Sequence, residues 1–123
     1  MTKFVNLTPH KIVLYLNDGS TIEVEPSGKV FRLEERDRVI ANVEGIDIVA
    51  REFVIPTEVK SYFDDPNAVY IVSLPALMAL ATLEKAHPEL MDISWIVAPD
   101  TGSGAVRDAQ GRIIGTRRFI IIP

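Results

Sequence analysis

The chain has 123 residues, 47% of them apolar and 24% charged, which suits one small globular domain. Thirteen Lys and Arg against seventeen Asp and Glu leave a net charge of -4 and a pI near 5.1. That balance argues against a protein that coats polymeric nucleic acid through a basic surface, although a local basic pocket for a small anion is compatible with it. With no cysteine and only His10 and His87, disulfides, thiolate zinc sites and a cysteine nucleophile are excluded, and no metal or cofactor is expected. No run approaches the roughly 18 apolar residues of a membrane span, and MTKFVNLTPH lacks the apolar stretch of a secretory signal. A cytoplasmic protein that does not enter a membrane is the expectation.

In chain order, within Asn6-Leu7-Thr8-Pro9-His10, Thr8-Pro9-His10 reads as a turn between two strands, with Asn6 or Thr8 able to bond the local backbone. Lys11–Leu16 and Ser20–Glu25 flank Asn17-Asp18-Gly19, an Asp-Gly hairpin signal, and Ile22 and Val24 are assigned to a dry face. Pro26-Ser27-Gly28 ends that hairpin. Lys29–Leu33, Arg38–Val43 and Ile46–Val54 read as further strands, the last two joined at Glu44-Gly45. Glu34–Asp37 (EERD) between them reads as a charged sheet edge or a solvated corner.

Pro56 to Pro66 breaks the pattern. Ala68–Leu74 is a nearly continuous apolar run, the signature of a strand covered on both faces. Pro75 opens a helix over Ala76–His87, in which Leu77, Leu80, Ala81 and Leu83 fit helical spacing and Pro88 sets the end. A short strand at Ile93–Ala98, a loop at Pro99–Gly104 and a hairpin turn at Asp108-Ala109-Gln110-Gly111 follow, and Arg117–Ile122 closes the chain as a β-prone strand. These elements predict an α+β fold over 1–123, mainly antiparallel sheet with one principal helix packed on it. The terminal Phe119-Ile120-Ile121-Ile122, placed at a sheet edge, points to a homo-oligomer.

The charge is unevenly spread. Residues 1–98 hold nine basic and fifteen acidic side chains, whereas 99–123 hold Arg107, Arg112, Arg117 and Arg118 against Asp100 and Asp108. Arginine grips phosphate bidentately, and Thr101-Gly102-Ser103-Gly104 lets backbone amides and hydroxyls approach an anion. The loop matches neither a P-loop nor a dinucleotide fingerprint, and short Gly/Ser loops are more often plain connections. His10 has no catalytic partner at a recognisable spacing, so a turn-stabilising role outranks a general base. His87 suits the helix C-terminus. The carboxylate pairs Glu34/Glu35, Asp64/Asp65 and Glu23/Glu25 read as solvated surface, and Phe31, Tyr70 and Trp95 as core aromatics, one of which could stack on a base.

Two blocks, VNLTPHKIVLYLNDGSTIEVEPSGKVFRLE and YIVSLPAL…IVAPDTGSGAVRDAQGRIIGTRRF, resemble a family of small phage and prophage proteins with an Asn-Leu-Thr-Pro-His box. They span residues 5–34 and 70–119, about two-thirds of the chain. The size and layout are similar to the Thoeris anti-defence sponges of the first type. That resemblance implies a phage-encoded protein in the bacterial host cytoplasm. It would sequester a cyclic ADP-ribose isomer, or a cyclic oligonucleotide, without cleaving it. It also implies a homo-oligomer, dimer or hexamer, and no enzyme activity. On this reading Arg107 and Arg112 hold the phosphates with Thr101, Gly102, Ser103 and Gly104 assisting. Asp108 orients Arg107 or takes a ribose hydroxyl, and Tyr70 or Phe31 stacks the base. A phage structural or assembly protein forming a ring is the rival expectation, and a nucleotide hydrolase ranks third.

Overall fold

The computed structural model describes residues 3–123. Its strands are β1 (Lys3–Asn6), β2 (Ile12–Tyr15), β3 (Thr21–Val24), β4 (Glu34–Val43) and β5 (Ile46–Val54), followed by a 3-10 turn at Val59–Tyr62. Then come β6 (Ala68–Ile71), α1 (Leu74–Ala86), β7 (Ile96–Pro99), β8 (Ala105–Arg107), β9 (Ile113–Thr116) and β10 (Phe119–Ile120). The class is α+β, with α1 the one α-helix among the described residues. The strands form a sheet of order β1-β6-β7-β10, a second of order β3-β2-β9-β8, and the separate ribbon β4-β5. Both four-stranded sheets are mixed: β1/β6, β6/β7 and β2/β9 are parallel, while the other four ladders are antiparallel.

The apolar run at 68–72 explains the centre of the molecule. β6 sits between two parallel neighbours, and its side chains alternate between two buried clusters. Ala68, Tyr70 and Val72 face α1, where Ala76, Leu77 and Leu80 meet them. Val69 and Ile71 face the other way, with Val97 and the half-buried Ile12 and Val24 of the second sheet. The helix starts because the Ser73 hydroxyl accepts from the Ala76 N–H at 3.3 Å and Pro75 needs no donor in the first turn. It stops at His87, ahead of Pro88. No helix among the described residues is long and apolar enough to cross a membrane.

Three expectations change. Lys29–Leu33 is no strand: the Phe31 N–H donates to the Leu7 carbonyl, and its ring enters the core between Tyr62 and Phe63 instead of lying on a sheet face. Glu34–Asp37 is not a corner but the first part of β4, where Arg51 on β5 neutralises Asp37 at 2.9 Å and Glu35 at 3.5 Å. Ile22, assigned to a dry face, is 46% exposed because β3 is the outer strand of its sheet. Of the C-terminal run only Phe119 and Ile120 pair, antiparallel to β7, so β10 is the expected edge but a short one.

Candidate functional site

The Gly/Ser loop after β7 already encloses an anion, and that anion is its own. The Asp100 carboxylate, 6% exposed, accepts from the Gly102 N–H at 2.9 Å, the Gly104 N–H at 3.0 Å and Arg118 Nε at 2.7 Å. Arg118 then donates from Nη2 to Ser103 Oγ at 2.6 Å. The Arg118 guanidinium, followed by the Gly102 amide, holds the Asp100 carboxyl below the usual carboxylate range. Thr116 locks the same corner: its hydroxyl donates toward the Asp100 and Arg118 carbonyls at 2.7 and 3.0 Å. Gly104 is required by space, since a Cβ there would lie 2.7 Å from Asp100 Oδ2. The loop amides that the sequence assigns to a phosphate are therefore spent on Asp100. Gly102, Ser103 and Gly104 act in the corner's structure, and Thr101 sits exposed beside them.

Arg107, Asp108 and Arg112 gather at the far end of the β8–β9 hairpin, about 10 Å of strand from that loop. Asp108 Oδ1 accepts from the Gln110 and Arg112 amides, and Oδ2 accepts from Arg112 Nε at 3.0 Å. Asp108 thus orients Arg112, not Arg107. Arg107 donates from Nη1 to the Gly111 carbonyl at 2.6 Å. Both guanidinium groups are exposed, and each spends one face on closing its own turn.

The aromatic candidates are corrected by burial. Tyr70 is 6% exposed and its hydroxyl accepts from the Asp65 N–H at 2.8 Å, so its ring is a core wall and not a stacking platform. Phe31 is 4% exposed, packed edge-on to Tyr62 at 5.1 Å, yet it borders a cavity.

That cavity is a cleft of about 390 Å³ between the turn after β1, the Val30–Leu33 segment, the root of the β4–β5 ribbon and the start of α1. Asn6 holds the turn that supplies one wall, Leu7 to His10, from behind. Buried to 1% exposure, it donates from Nδ2 to the His10 and Val24 carbonyls, while Oδ1 accepts from the Thr8 N–H and hydroxyl. The Asn-Leu-Thr-Pro-His box is thus a turn held by its first residue, as its turn chemistry suggests, and it leaves Thr8 and His10 on the cleft wall. Arg32 and the 45%-exposed Phe53 also line the cleft, with Ser73 and Pro75 at the first turn of the 13-residue helix. Glu35, the acid of the cleft, is paired with Arg51, whereas Arg32 forms no ion pair among the described residues. A free guanidinium near the positive end of a helix dipole favours an anion, and the apolar walls favour a ring.

Reading the residues in order passes over Arg118, Asp100 and Arg32 as the decisive groups. Asp100 directly before Thr101-Gly102-Ser103-Gly104 was the available signal for a self-filled corner; nothing in the local pattern around Arg32 marks it. Among the described residues no cluster of three or more potential metal ligands occurs. Comparisons with protein-family models, curated proteins and solved structures found no match for this chain.

Proposed function

We propose that this protein holds a small phosphate-bearing nucleotide in the Arg32 cleft and keeps it intact. In its sharpest form it is a phage anti-defence sponge that sequesters a cyclic ADP-ribose isomer in the bacterial host. The observation that carries the reading is the pairing of charges at the two basic sites. Arg118 is satisfied internally by Asp100, whereas Arg32 stands in a cleft whose carboxylate, Glu35, is bound elsewhere. A pyrophosphate would take Arg32 and the Ser73 hydroxyl, and an adenine would lie against Phe53. At about 390 Å³ the cleft lies within the range of small-ligand sites, and its walls are set by the turn that Asn6 holds and by α1, so little ordering accompanies binding.

The test is depletion of a cyclic ADP-ribose isomer from solution, with free ligand assayed before and after heat denaturation. Depletion with intact ligand released on heating is the expected result, and Arg32→Ala weakens it at least about tenfold while Arg107→Ala leaves it unchanged. Loss with Arg107→Ala but not with Arg32→Ala would move the site to the β8–β9 hairpin. A changed product on release would make the protein an enzyme.

A structural protein of a homo-oligomeric ring is the second reading, favoured by the exposed β10 edge and the solvent-facing β4–β5 ribbon. Its signature is a large assembly that ignores the nucleotide and tolerates Arg32→Ala.

A further inference from the structure

The β4–β5 ribbon is about 30 Å long and stands away from the two sheets; among the described residues no other strand or helix packs on it to any extent. All ten residues of β4 are exposed, and on β5 only Ala50 and Val54 are even half-buried. Its turn is well formed: Glu44 and Gly45 both have positive φ (53° and 83°), as a two-residue hairpin of matching twist requires. A two-stranded ribbon alone in water is nevertheless marginal, and this one presents Val39, Ile40, Val43, Ile46, Ile48 and Val49 to solvent, each 44% exposed or more. Both long edges also leave a row of backbone donors and acceptors open.

Charge decides which edge takes a partner. Two copies joined edge to edge by a two-fold axis pair residue i with residue j at a constant sum, and directly opposed like charges are unfavourable. On β4, an axis on Arg36, Asp37 or Arg38 sets that charge against itself, and an axis further on falls at the irregularity between Val39 and Ala41. On β5, an axis on Val49 sets Asp47 against the partner's Arg51 and Ile48 against the partner's Ala50, twice over by symmetry. It is the register that opposes unlike charges on this strand. Asp47 and Arg51 share a face of β5, so both crossings lie on the same side of the joined sheet.

We propose that two copies of this chain pair antiparallel through β5 about Val49, making one four-stranded sheet, β4-β5-β5-β4, across the dimer. The interface is isologous and closes at two copies. Its axis residue Val49 lines neither the Arg32 cleft nor the Asp100 corner, and a change there leaves the Glu35–Arg51 pair in place, so the Val49 variant tests the interface apart from the nucleotide reading.

Sedimentation velocity on the full chain tests it. The wild type is expected at twice the chain mass. Asp47→Arg or Arg51→Asp alone sets like charges at both crossings and raises the dissociation constant at least about tenfold. The double exchange Asp47→Arg/Arg51→Asp restores opposite charges and recovers the dimer. Val49→Glu supplies a variant free of the Arg51 pairs within the chain: two carboxylates on the axis give a monomer with an unchanged circular dichroism spectrum. A monomeric wild type, a dimer indifferent to these variants, a double exchange that fails to rescue, or an open-ended ring would each overturn the proposal.

Discussion

The body and the β4–β5 ribbon use the same β-branched residues to opposite ends. In the body, Val69, Ile71, Val72 and Ile96 are at most 6% exposed, because β6 and β7 have α1 on one face and the second sheet on the other. In the ribbon, Val39 pairs with Val49 and Ile48 with Ala41, on either side of the register irregularity, yet Val39, Ile48 and Val49 remain in water. Strand formation and burial are therefore separate events: turn chemistry and side-chain branching suffice for the first, and only a second layer supplies the other. The polar groups follow the same division. The body buries Asn6, Asp100 and Thr116, and no buried side-chain polar atom among the described residues lacks a partner. The ribbon's Arg51, Asp37 and Glu35 pair in the open, where such bridges contribute little.

The largest difference between the two regions should appear on truncating apolar side chains. Leu77 is 0% exposed between α1 and β6, so Leu77→Ala is expected to cost about 3–5 kcal/mol in denaturant unfolding. Ile46→Ala, at a site 70% exposed, should change the unfolding of the isolated chain by less than about 0.5 kcal/mol. Comparable costs at the two positions would mean that the ribbon packs on the body after all. Next in size is Asn6→Ala, which strands the His10 and Val24 carbonyls and the Thr8 N–H; about 2–3 kcal/mol is expected, together with loss of whatever the cleft binds. A variant that keeps stability but loses binding would show Asn6 acting on the ligand directly rather than through the turn.

Local chemistry made the hairpins and the helix readable. Asp18-Gly19 and Glu44-Gly45 carry turn signals, Pro75 and Pro88 bracket the helix, and the apolar Ala68–Leu74 run announces a covered strand, although that strand ends at Ile71 and Ser73 and Leu74 go to the start of the helix. The sequence was silent where a partner distant along the chain decides. Phe31 leaves the strand pattern because Leu7 and Tyr62 claim its backbone and ring. Asp100 turns an apparent phosphate loop into a closed corner because Arg118, eighteen residues on, folds back to it. The arginine cluster of the C-terminal segment was real in composition but is divided in space, with Arg118 at one end of the β8–β9 hairpin and Arg107 and Arg112 at the other.

That corner allows a finer comparison inside one loop. A Cβ on Gly104 would lie 2.7 Å from Asp100 Oδ2 and 3.0 Å from Arg118 Cγ, whereas on Gly102 its nearest neighbour is at 3.4 Å. Gly104→Ala should therefore cost about 1–3 kcal/mol and Gly102→Ala almost nothing, read from thermal unfolding. Equal effects would mean that the loop is loose, and would return its amides to the role of anion receptor.

The smallest effect is the most diagnostic, because it asks whether body and ribbon unfold together. Asp100 and Asp37 both have carboxyl pKa values lowered in the folded chain, the first chiefly by Arg118 and the second by Arg51. A lowered folded pKa stabilises above the unfolded value of about 3.9 and is lost as pH falls through the folded one, so each pair weakens below about pH 4. For Asp100 the loss falls on the body. Asp100→Asn should lower stability at neutral pH and flatten the acid limb of global unfolding. Asp37 is coupled only to the ribbon. Asp37→Asn should leave that acid limb unchanged and instead speed amide exchange within β4 and β5. If Asp37→Asn flattened the global limb as Asp100→Asn does, the ribbon would be part of the cooperative unit, and its apolar face would have a covering layer within a single chain.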